Sequence, residues 1–312
     1  MSRLHHIQRV FRGAPQPFHQ VVTTLTGLSN DQARLIITMG GAYLGKHRCK
    51  DPERAIRAGQ AVQIYFRLPL VYEPIAFESA WIHRREKGLI VADKPAGLPT
   101  QGRRDADYLA FYECLKTYCG GYVGLHHRLD QDTSGLMLFT RDKSWNKDVG
   151  RLFSEQRIHK TYLAVAQGVW PKDAGPRLRV DAPILGKRTA TGTCQVVAPA
   201  GKPAQTEFTL LAQREGLLLL RAKPITGRTH QIRVHAAHLG LPLWGDGLYG
   251  APRDGGSFLL HCAGLRWPKT GRVPAGAPWS APNSPAWDTL PNPLRDAARA
   301  AQPDPDPEEP RC

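Results

Sequence analysis

The sequence is poor in cysteine, and the cysteines it has are not grouped. Six are scattered over 312 residues without a CxxC pair. Disulfide scaffolds and cysteine-rich zinc sites both need grouped cysteines, so the pattern favours reduced, mostly buried thiols. Long apolar runs are also lacking, since no uninterrupted stretch approaches the roughly 20 residues that cross a bilayer. The N-terminus lacks the apolar core and cleavage site of a secretory signal. We therefore expect a cytoplasmic protein without a membrane partner.

Acidic residues are scarce relative to basic ones. Lys and Arg number 42 and Asp and Glu 27, which gives a formal net charge of +15. Residues 281–312 hold three Arg and six acids, so residues 1–280 carry +18. Such a charge is most easily tolerated when the usual partner is a polyanion, which makes a nucleic acid the expected partner. Many basic proteins bind nucleic acid only incidentally, so charge alone does not establish a function.

The chain divides into five predicted segments. They are a flexible arm at 1–18, a small first unit at 19–68, a linker at 69–79, the main body at 80–272 and a tail at 273–312. The main body mixes apolar strands with amphipathic helices, which predicts the α+β class. Eight prolines fall within residues 281–312, with acids toward the end. This composition predicts a disordered or loosely attached tail.

The first unit combines a short helix with a basic hairpin. Ser29 or Asn30 can cap a helix that Gly40-Gly41 can end, and two short strands follow. Basic residues, among them Arg34, Lys46 and Arg48, are spread through the unit. They could grip RNA or could merely form a solvated face. The order of elements resembles the S-four-type RNA-binding domain, a small module named after a ribosomal protein, which implies an RNA-binding role for these three residues.

The densest group of functional side chains lies in HRLDQDTSG, residues 127–135, directly ahead of the apolar strand LMLF. Such residues just before a buried strand place several functional groups at a sheet edge. Asp130 and Asp132 could carry chemistry, or could cap a turn while Arg128 pairs with one of them. The string DTSG also resembles the aspartic protease signature. That chemistry needs a second Asp-Thr/Ser-Gly copy, and the sequence has none.

A second group lies in residues 225–235, ITGRTHQIRVH. Three histidines that lie in or just after it suggest a metal-dependent hydrolase: His230, His235 and His238. Their spacing does not match that of the common zinc enzymes, so hydrogen-bonded histidines are favoured and no metal is expected. Arg228 and Arg233 are better candidates for function. A helix bearing them could pair with phosphate or with the Asp130 carboxylate.

The segment KTYLA begins a further predicted strand. Side chains alternate along a strand, so Lys160 and Tyr162 point to one face. An aromatic ring beside a cation suits a flipped and stacked base. It equally suits an ordinary strand end.

Together these segments resemble the RluA-type RNA pseudouridine synthases. The family's pieces occur in the family's order, as DKPAGLPTQG, HRLDQDTSGLMLF, KTYLAVAQG, GRTHQIRVHAAHLGLPLWGDGLYG and LLHCAGL. The similarity covers nearly all of residues 88–266. It implies the family's α+β fold, with a central mixed, largely antiparallel sheet, beside the small N-terminal α/β RNA-binding module.

The resemblance also implies roles for single residues. Asp130, the last residue of HRLD, matches the family's catalytic aspartate. Arg128 matches the arginine that holds the RNA around the extruded nucleotide. Tyr162 matches the tyrosine that stacks on the target base and assists proton removal. Arg233 matches the basic residue that pairs with the catalytic carboxylate, and Ile232 belongs to the apolar floor of that pocket.

The function implied by the resemblance is isomerisation of uridine to pseudouridine in structured RNA, by an aspartate and without a cofactor. The reaction is redox-neutral, so it needs neither a nicotinamide nor a flavin, and a carboxylate can act as nucleophile or base. Lys160 and Arg228 are further candidates for substrate binding. We expect ribosomal RNA rather than transfer RNA as substrate, and a monomer is favoured. The alternative is a non-catalytic RNA-binding or ribosome-assembly factor that retains the fold.

Overall fold

The computed structural model describes residues 4–70, 75–86, 88–107, 109–189, 192–250 and 259–303. The chain forms two compact units. The first combines the residues up to Phe77 with Leu98–Gly121, and the second combines Glu78–Gly97 with the residues from Tyr122 onward. Over these ranges, no helix is both long enough and apolar enough to cross a membrane.

The first unit contains short strands and three helices. The strands are β1 (Leu4–Val10), β2 (Gln16–Pro17), β3 (Ala42–Leu44), β4 (His47–Arg48), β5 (Ala55–Ile56) and β6 (Ala61–Arg67). The helices are α1 (Phe18–Thr26), α2 (Asn30–Thr38) and α3 (Phe111–Cys119). An antiparallel sheet has the strand order β1-β6-β3-β4, and β2 pairs with β5.

Helix α2 begins where the sequence predicts, at a reciprocal cap. The backbone N–H of Gln32 donates to Ser29 Oγ at 3.2 Å, and the backbone N–H of Ser29 donates to Gln32 Oε1 at 3.0 Å. These two bonds satisfy amide groups that have no partner within the first turn. The buried face of α2 then packs Ile36 and Ile37 into a core that includes Ile64 of β6.

The predicted flexible arm contains a strand. Residues 4–10 form β1, which pairs antiparallel with β6 so that Ile7 lies opposite Ile64. The side chain of Ile7 packs against the core of the first unit. The expectation of a flexible arm is corrected for these residues, because the edge of β6 offers backbone partners that a sequence pattern does not reveal. Residues 1–3 lie outside the described part of the chain.

The structure also divides the chain differently from the predicted boundaries. Residues 98–121, expected in the main body, belong to the first unit. There the almost fully buried carboxylate of Asp105 accepts a hydrogen bond from Arg67 Nε at 3.0 Å. The ring of Phe111 lies 5.7 Å from that of Phe77, centroid to centroid. These contacts join positions far apart in the chain.

Of the predicted linker, residues 71–74 lie outside the described residues, and 75–77 belong to the first unit.

The second unit carries the large sheet. Its strands are β7 (Ile82–Glu86), β8 (Leu89–Lys94), β9 (Gly124–Leu125), β10 (Ser134–Thr140), β11 (His159–Gln167), β12 (Arg177–Asp181), β13 (Ile184–Thr189), β14 (Gly192–Val197), β15 (Gln205–Arg214), β16 (Leu217–Pro224) and β17 (Leu260–Arg266). Its helices are α4 (Asn146–Ser154), α5 (Gln231–His238), α6 (Pro285–Asp288) and α7 (Leu294–Ala300). The strand order is β12-β15-β16-β11-β17-β10-β8-β7, with β9 also on β10 and β13-β14 as a separate hairpin.

This sheet is mixed but largely antiparallel, as predicted. Within the described ranges, β10 and β17 form the one parallel pair. All seven residues of β10 are buried, which explains its continuous apolar sequence. Gly135 has φ +115°, and a Cβ built there would lie 2.4 Å from the backbone N and O of Cys262. Only glycine permits this approach of β10 to β17.

The predicted disordered tail is packed on the sheet as far as the structure describes it. Trp287, Leu290, Leu294 and Ala298 are buried in one cluster that includes Leu163 of β11. The prediction is therefore corrected for residues 273–303. Proline can begin a helix without losing a hydrogen bond, so a high proline count did not exclude short helices with an apolar face. Residues 304–312 lie outside the described part of the chain.

Replacing one buried side chain of α7 tests this packing. Leu294→Ala should lower the free energy of unfolding by about 2–5 kcal/mol, because Leu294 is fully buried and its removal leaves a cavity. Urea unfolding followed by circular dichroism measures the change. Arg299→Ala on the same helix is the control, since the exposed pair of Arg299 with Asp288 contributes at most about 1 kcal/mol. Equal effects of the two substitutions would contradict the packed arrangement.

Candidate active site

An open cleft in the second unit gathers the residues predicted for catalysis and substrate binding. Seven of them line it, although they come from three distant parts of the chain: Arg128, Asp130, Lys160, Tyr162, Arg228, Ile232 and Arg233. The turn before β10, the start of β11 and the loop leading into α5 therefore meet at this cleft. Asp132, the second carboxylate of the segment HRLDQDTSG, is not among the lining residues.

Lys94, at the end of β8, supports the turn that carries Asp130. Its side chain is fully buried, and Nζ donates to the backbone carbonyl of Gln131 at 3.0 Å. Burial lowers the pKa of Lys94 to about 7, an effect opposed by the carboxylates of Asp132 and Asp130. This hydrogen bond from Lys94 fixes the backbone next to Asp130.

A chain of hydrogen bonds connects three of the motifs behind this turn. Ser280 Oγ donates to Asp93 Oδ2 at 2.6 Å, and His261 Nε2 lies 3.1 Å from the carbonyl oxygen of Ser280. A carbonyl oxygen only accepts, so Nε2 carries the proton and Nδ1 accepts from Ser134 Oγ at 2.9 Å. Burial lowers the pKa of His261, consistent with a neutral ring. The C-terminal segment is thus part of the support of β10.

Arg233 contacts two carboxylates at once. Its Nε and Nη2 donate to the two carboxylate oxygens of Asp246, at 2.6 and 2.8 Å, and its Nη1 lies 3.3 Å from Asp130 Oδ2. The Asp246 side chain is 1% exposed. Burial disfavours the guanidinium charge, but the hydrogen bonds and charge of Asp246 and the charge of Asp130 outweigh it and raise the pKa of Arg233. The bidentate pair fixes the plane of the guanidinium and directs its remaining nitrogen at Asp130.

His230 approaches the same oxygen of the Asp130 carboxylate as Arg233 does. Its Nε2 is 3.7 Å from Asp130 Oδ2, and its Nδ1 is 2.7 Å from Tyr249 Oη. Tyr249 Oη also accepts a hydrogen bond from the backbone N–H of Gln195, at 3.1 Å. Burial lowers the pKa of His230, although the Asp130 charge acts in the opposite direction. At neutral pH, Asp130 therefore faces one permanent cation and one neutral imidazole.

Gln231 shapes the loop that precedes α5. Its Oε1 accepts from Thr226 Oγ1 at 2.7 Å and from the backbone N–H of Arg228 at 2.9 Å. Its Nε2 donates to the backbone carbonyl of Gln205 at 2.8 Å and to Thr206 Oγ1 at 3.0 Å. One buried amide thus ties the loop to β15, and this places His230 and Arg233 at the cleft.

The predicted base-contacting residues form the walls of the cleft. Tyr162 and Ile232 are both more than nine-tenths buried and supply its apolar surface. Burial raises the pKa of Tyr162 well above 10, so its hydroxyl is protonated at neutral pH. Lys160 Nζ lies over the ring of Phe153, 5.4 Å from its centroid, and burial lowers the pKa of Lys160. Arg128 is exposed at the cleft and can reach RNA.

The other histidines of these motifs have structural roles. His127 Nε2 accepts a hydrogen bond from the backbone N–H of Leu138 at 2.9 Å. Both ring nitrogens of His235 are used, with Thr206 Oγ1 at 2.8 Å and the carbonyl of Ala182 at 2.9 Å. These contacts are those of hydrogen-bonded histidines. In the described part of the chain, no group of three or more His, Cys, Asp or Glu side chains has a metal-binding arrangement.

The three RNA-binding candidates of the first unit are placed differently from one another. Arg34 forms an ion pair with Glu53 and remains 41% exposed. Arg48 lies 3.0 Å from a carboxylate oxygen of Asp107, within the first unit, and is 22% exposed. Lys46 is exposed at the turn between β3 and β4. Of the three, Lys46 and Arg34 are the more accessible to a ligand.

Comparison with known proteins agrees with this geometry. The family model described as RNA pseudouridylate synthase matches residues 88–238. An uncharacterized RNA pseudouridine synthase of Zymomonas mobilis is 36% identical over 198 residues, which cover 60% of this chain and 87% of that protein. Ribosomal large subunit pseudouridine synthase C of Pasteurella multocida is 30% identical over 279 residues, covering 81% of this chain and 83% of that protein. The chain belongs to the RluA-type family of RNA pseudouridine synthases.

Solved structures confirm the fold of this RNA pseudouridine synthase. Human RNA Pseudouridylate Synthase Domain Containing 1 superposes with a TM-score of 0.55 at 27% identity, over 74% of this chain and all of that one. Human RNA Pseudouridylate Synthase Domain Containing 4 gives a TM-score of 0.54 at 24% identity over 70% of this chain and 92% of that one. The protein is thus an enzyme that isomerises uridine in RNA.

Asp246, His230 and Tyr249 lie around Asp130 and Arg233, yet the sequence predicted no role at this site for Asp246 or Tyr249 and suggested His230 only as a metal ligand. A signal for Asp246 existed, since it is a lone acid in the apolar and glycine-rich stretch LPLWGDGLYG. A carboxylate in such surroundings is costly to bury unless a cation accompanies it. The contacts of His230 depend on Tyr249 and on the β13–β14 hairpin, which its own segment does not show.

Asp246→Asn tests whether the bidentate pair orients Arg233. The amide keeps the shape but loses the charge and one acceptor, so we expect the rate of pseudouridine formation to fall about 100-fold through misplacement of the guanidinium. Tritium release from RNA labelled at C5 of uracil measures the rate, and circular dichroism checks the fold. Asp173→Asn, at an exposed position of the same unit, is the control. Equal activity of the two variants would remove Asp246 from the site.

Proposed function

We propose that this enzyme converts uridine to pseudouridine through the carboxylate of Asp130, without a cofactor, and that its substrate is ribosomal RNA. One observation carries the catalytic part. A carboxylate lies in an open cleft, 3.3 Å from a guanidinium nitrogen that a second, buried carboxylate holds in place. The guanidinium sets a fixed positive charge beside Asp130, which lines the space where a ligand would bind.

The chemistry of the isomerisation fits a carboxylate. The bond between N1 of uracil and C1′ of ribose breaks, the base turns, and C5 bonds to C1′. The proton on C5 leaves and N1 gains a proton, so the reaction is redox-neutral. As the glycosidic bond breaks, positive charge develops on the sugar, and an ionised carboxylate can stabilise that charge or attack the carbon. Asp130 is the carboxylate among the side chains that line the cleft.

The surroundings keep Asp130 reactive. Its contact with Arg233, at 3.3 Å, is longer than those of Arg233 with Asp246, at 2.6 and 2.8 Å. A short bidentate pair with Asp130 would lower the electron density available for attack. Because Asp246 takes that pair, Arg233 supplies charge to Asp130 without enclosing it. The neutral ring of His230 adds a polar neighbour and no second charge.

Tyr162 is placed to hold the base and to assist proton removal from C5. Its ring and the side chain of Ile232 form the apolar surface on which a uracil can lie. Because burial keeps its pKa well above 10, Tyr162 takes part as a neutral phenol. It can accept the C5 proton only if its own hydroxyl proton passes in the same step to a second acceptor, and N1 of the re-attached uracil, which must gain a proton, can be that acceptor.

The exposed cations at the cleft favour an extruded uridine. Unstacking a base costs a few kcal/mol, which phosphate contacts and filling of the vacated space can offset. Arg128 is exposed at the cleft and is long enough for that role. The Nε of Arg228 donates to the backbone carbonyl of Pro203 at 2.9 Å, so part of its guanidinium is already engaged.

Two observations support ribosomal RNA as the substrate. Relatives in Pasteurella multocida and Yersinia pestis are named ribosomal large subunit pseudouridine synthase C. In the first unit, Lys46 is exposed at a hairpin turn and Arg34 is partly exposed on α2, and the sequence of this unit resembles an S-four-type domain. We propose that this unit binds the same RNA whose uridine enters the cleft.

The role of Asp130 is tested by a pair of isosteric variants. Asp130→Asn should reduce tritium release by at least about 1,000-fold, because the essential carboxylate is lost. Its Kd for RNA should stay close to that of the unsubstituted protein, since removal of a negative charge does not weaken RNA binding. Asp132→Asn is the matched control, with at most a partial loss. An inactive Asp132 variant beside an active Asp130 variant would reverse the assignment.

The substrate is tested by pseudouridine maps of total RNA from cells with and without this protein. We expect at least one uridine of large-subunit ribosomal RNA to lose its modification in the deletion strain. Restoring the unsubstituted protein should bring the modification back, and restoring the Asp130→Asn protein should not. Loss of sites only in transfer RNA would refute the ribosomal substrate. Recovery with the Asp130→Asn protein would favour a non-catalytic RNA-binding factor.

A further inference from the structure

A second cavity of about 340 Å³ adjoins the catalytic cleft in the second unit. Lys160 of β11 and Pro224 at the end of β16 line both, so one layer of side chains separates them. The far side of this cavity is formed by the C-terminal segment, including Trp279 and Pro303. That segment is packed on the sheet, and the cavity is therefore a built feature of the fold.

The charged groups of the cavity are mostly cations. Lys160, Lys223 and Arg266 line it, with Glu207 as the acid that accompanies them. Burial lowers the pKa of Lys223; Glu207 opposes this, while the charges of Arg221, Arg177 and Arg266 lower it further. Arg266 thus lies close enough to Lys223 for the two positive charges to repel each other. An anion bound among them would relieve that repulsion.

Part of the remaining wall is apolar, although Gln156, His159 and Thr161 also line the cavity. The Trp279 indole lies against β17 where Gly264 has no side chain, and a Cβ at Gly264 would come within 2.8 Å of the ring. Its Nε1–H donates to the carbonyl of Ala301 at 3.0 Å, so the ring is held at two points. Ile225 also lines the cavity and is 44% exposed. A fixed aromatic ring beside cations is typical of surfaces that bind single-stranded nucleic acid.

We propose that this cavity binds a nucleotide of the substrate RNA that neighbours the target uridine. Its phosphate lies at Lys223 and Arg266, and its base lies against Trp279 and Ile225. The inference rests on the proposed site at Asp130. An RNA whose uridine occupies the cleft must continue on both sides, and the second cavity is the adjoining space that combines positive charge with an aromatic wall. The enzyme would then recognise the base or the backbone conformation of one nucleotide next to the target uridine.

Neutralising Lys223 tests the inference with the full-length enzyme. The probe is a stem-loop RNA with the mapped target uridine, labelled with tritium at C5. Lys223→Gln should raise KM about tenfold at about 0.15 M salt, because a charge-assisted contact is lost, and should leave kcat within about twofold. The dependence of log KM on log salt should become shallower by about 0.7, one counterion of a single strand. Lys172→Gln, an exposed lysine that lines neither cavity, should change neither quantity.

A second measurement locates the phosphate. In stem-loops with one uncharged methylphosphonate linkage next to the target uridine, the unsubstituted enzyme should lose affinity at one position. At that position, Lys223→Gln should cause no further loss. Additive losses at every position, or equal behaviour of Lys223→Gln and Lys172→Gln, would overturn the inference. If the unsubstituted enzyme releases no tritium at all, the proposed function fails instead, so the two failures are distinguishable.

The competing occupant is the acidic C-terminus of the chain. Four acids follow Pro303 within six residues: Asp304, Asp306, Glu308 and Glu309. They are replaced together by Asn and Gln in the full chain, with and without Lys223→Gln. We expect the KM effect of Lys223→Gln to persist. If it disappears, or if neutralising the acids alone lowers KM about as much as Lys223→Gln raises it, the cavity holds the C-terminus and the nucleotide site is refuted.

Discussion

The contact on which this site depends is the buried pairing of Arg233 with Asp246, beside the partly exposed Asp130. Moving three charged groups away from water is costly, and only close, well-oriented contacts compensate for it. The bidentate bonds at 2.6 and 2.8 Å meet that condition, and the third contact, at 3.3 Å, reaches the carboxylate that faces the cleft. The fold thus holds the positive charge of Arg233 in a mostly buried position next to Asp130. Fixed charges of this kind can stabilise charge that develops during a reaction.

The same logic explains why the motifs occur together. Lys94 holds the backbone beside Asp130, Gln231 ties the loop before α5 to the sheet, and His261 connects β17 to β10. None of the three needs to touch RNA. Each replaces a flexible loop by a hydrogen-bonded one, so the carboxylate, guanidinium and aromatic ring meet with little freedom to separate. Because chemistry at a glycosidic carbon is sensitive to displacements of about 1 Å, this support matters as much as the groups that meet the substrate.

The segment from Trp279 to Ala298 has a structural role in the second unit. Its composition suggested a disordered tail, yet Trp287 and Leu294 are buried against the sheet. Ser280 joins the hydrogen-bond chain behind β10, and Trp279 lines the second cavity. One segment therefore stabilises the sheet, supports the catalytic turn and forms the wall of a proposed RNA subsite. Under the proposal of a nucleotide subsite, the segment that contacts the nucleotide beside the uridine also supports the turn that carries Asp130.

The sequence by itself determined the family and which side chains to expect at the cleft. The HRLD turn before an apolar strand, the Lys160–Tyr162 alternation and the arginines before and within α5 follow from local patterns and from the family resemblance, because strand alternation and turn residues act over a few positions. Only the tertiary structure decided that Asp246 forms the bidentate pair with Arg233 and that Asp130 meets the remaining guanidinium nitrogen. Asp130 and Asp246 are more than a hundred residues apart in the chain, so no local pattern shows this. The pairing of residues 4–10 with β6 and the packing of the C-terminal segment on the sheet also depend on tertiary structure. Their partners are sheet edges and apolar surfaces built by distant residues, which no local pattern contains.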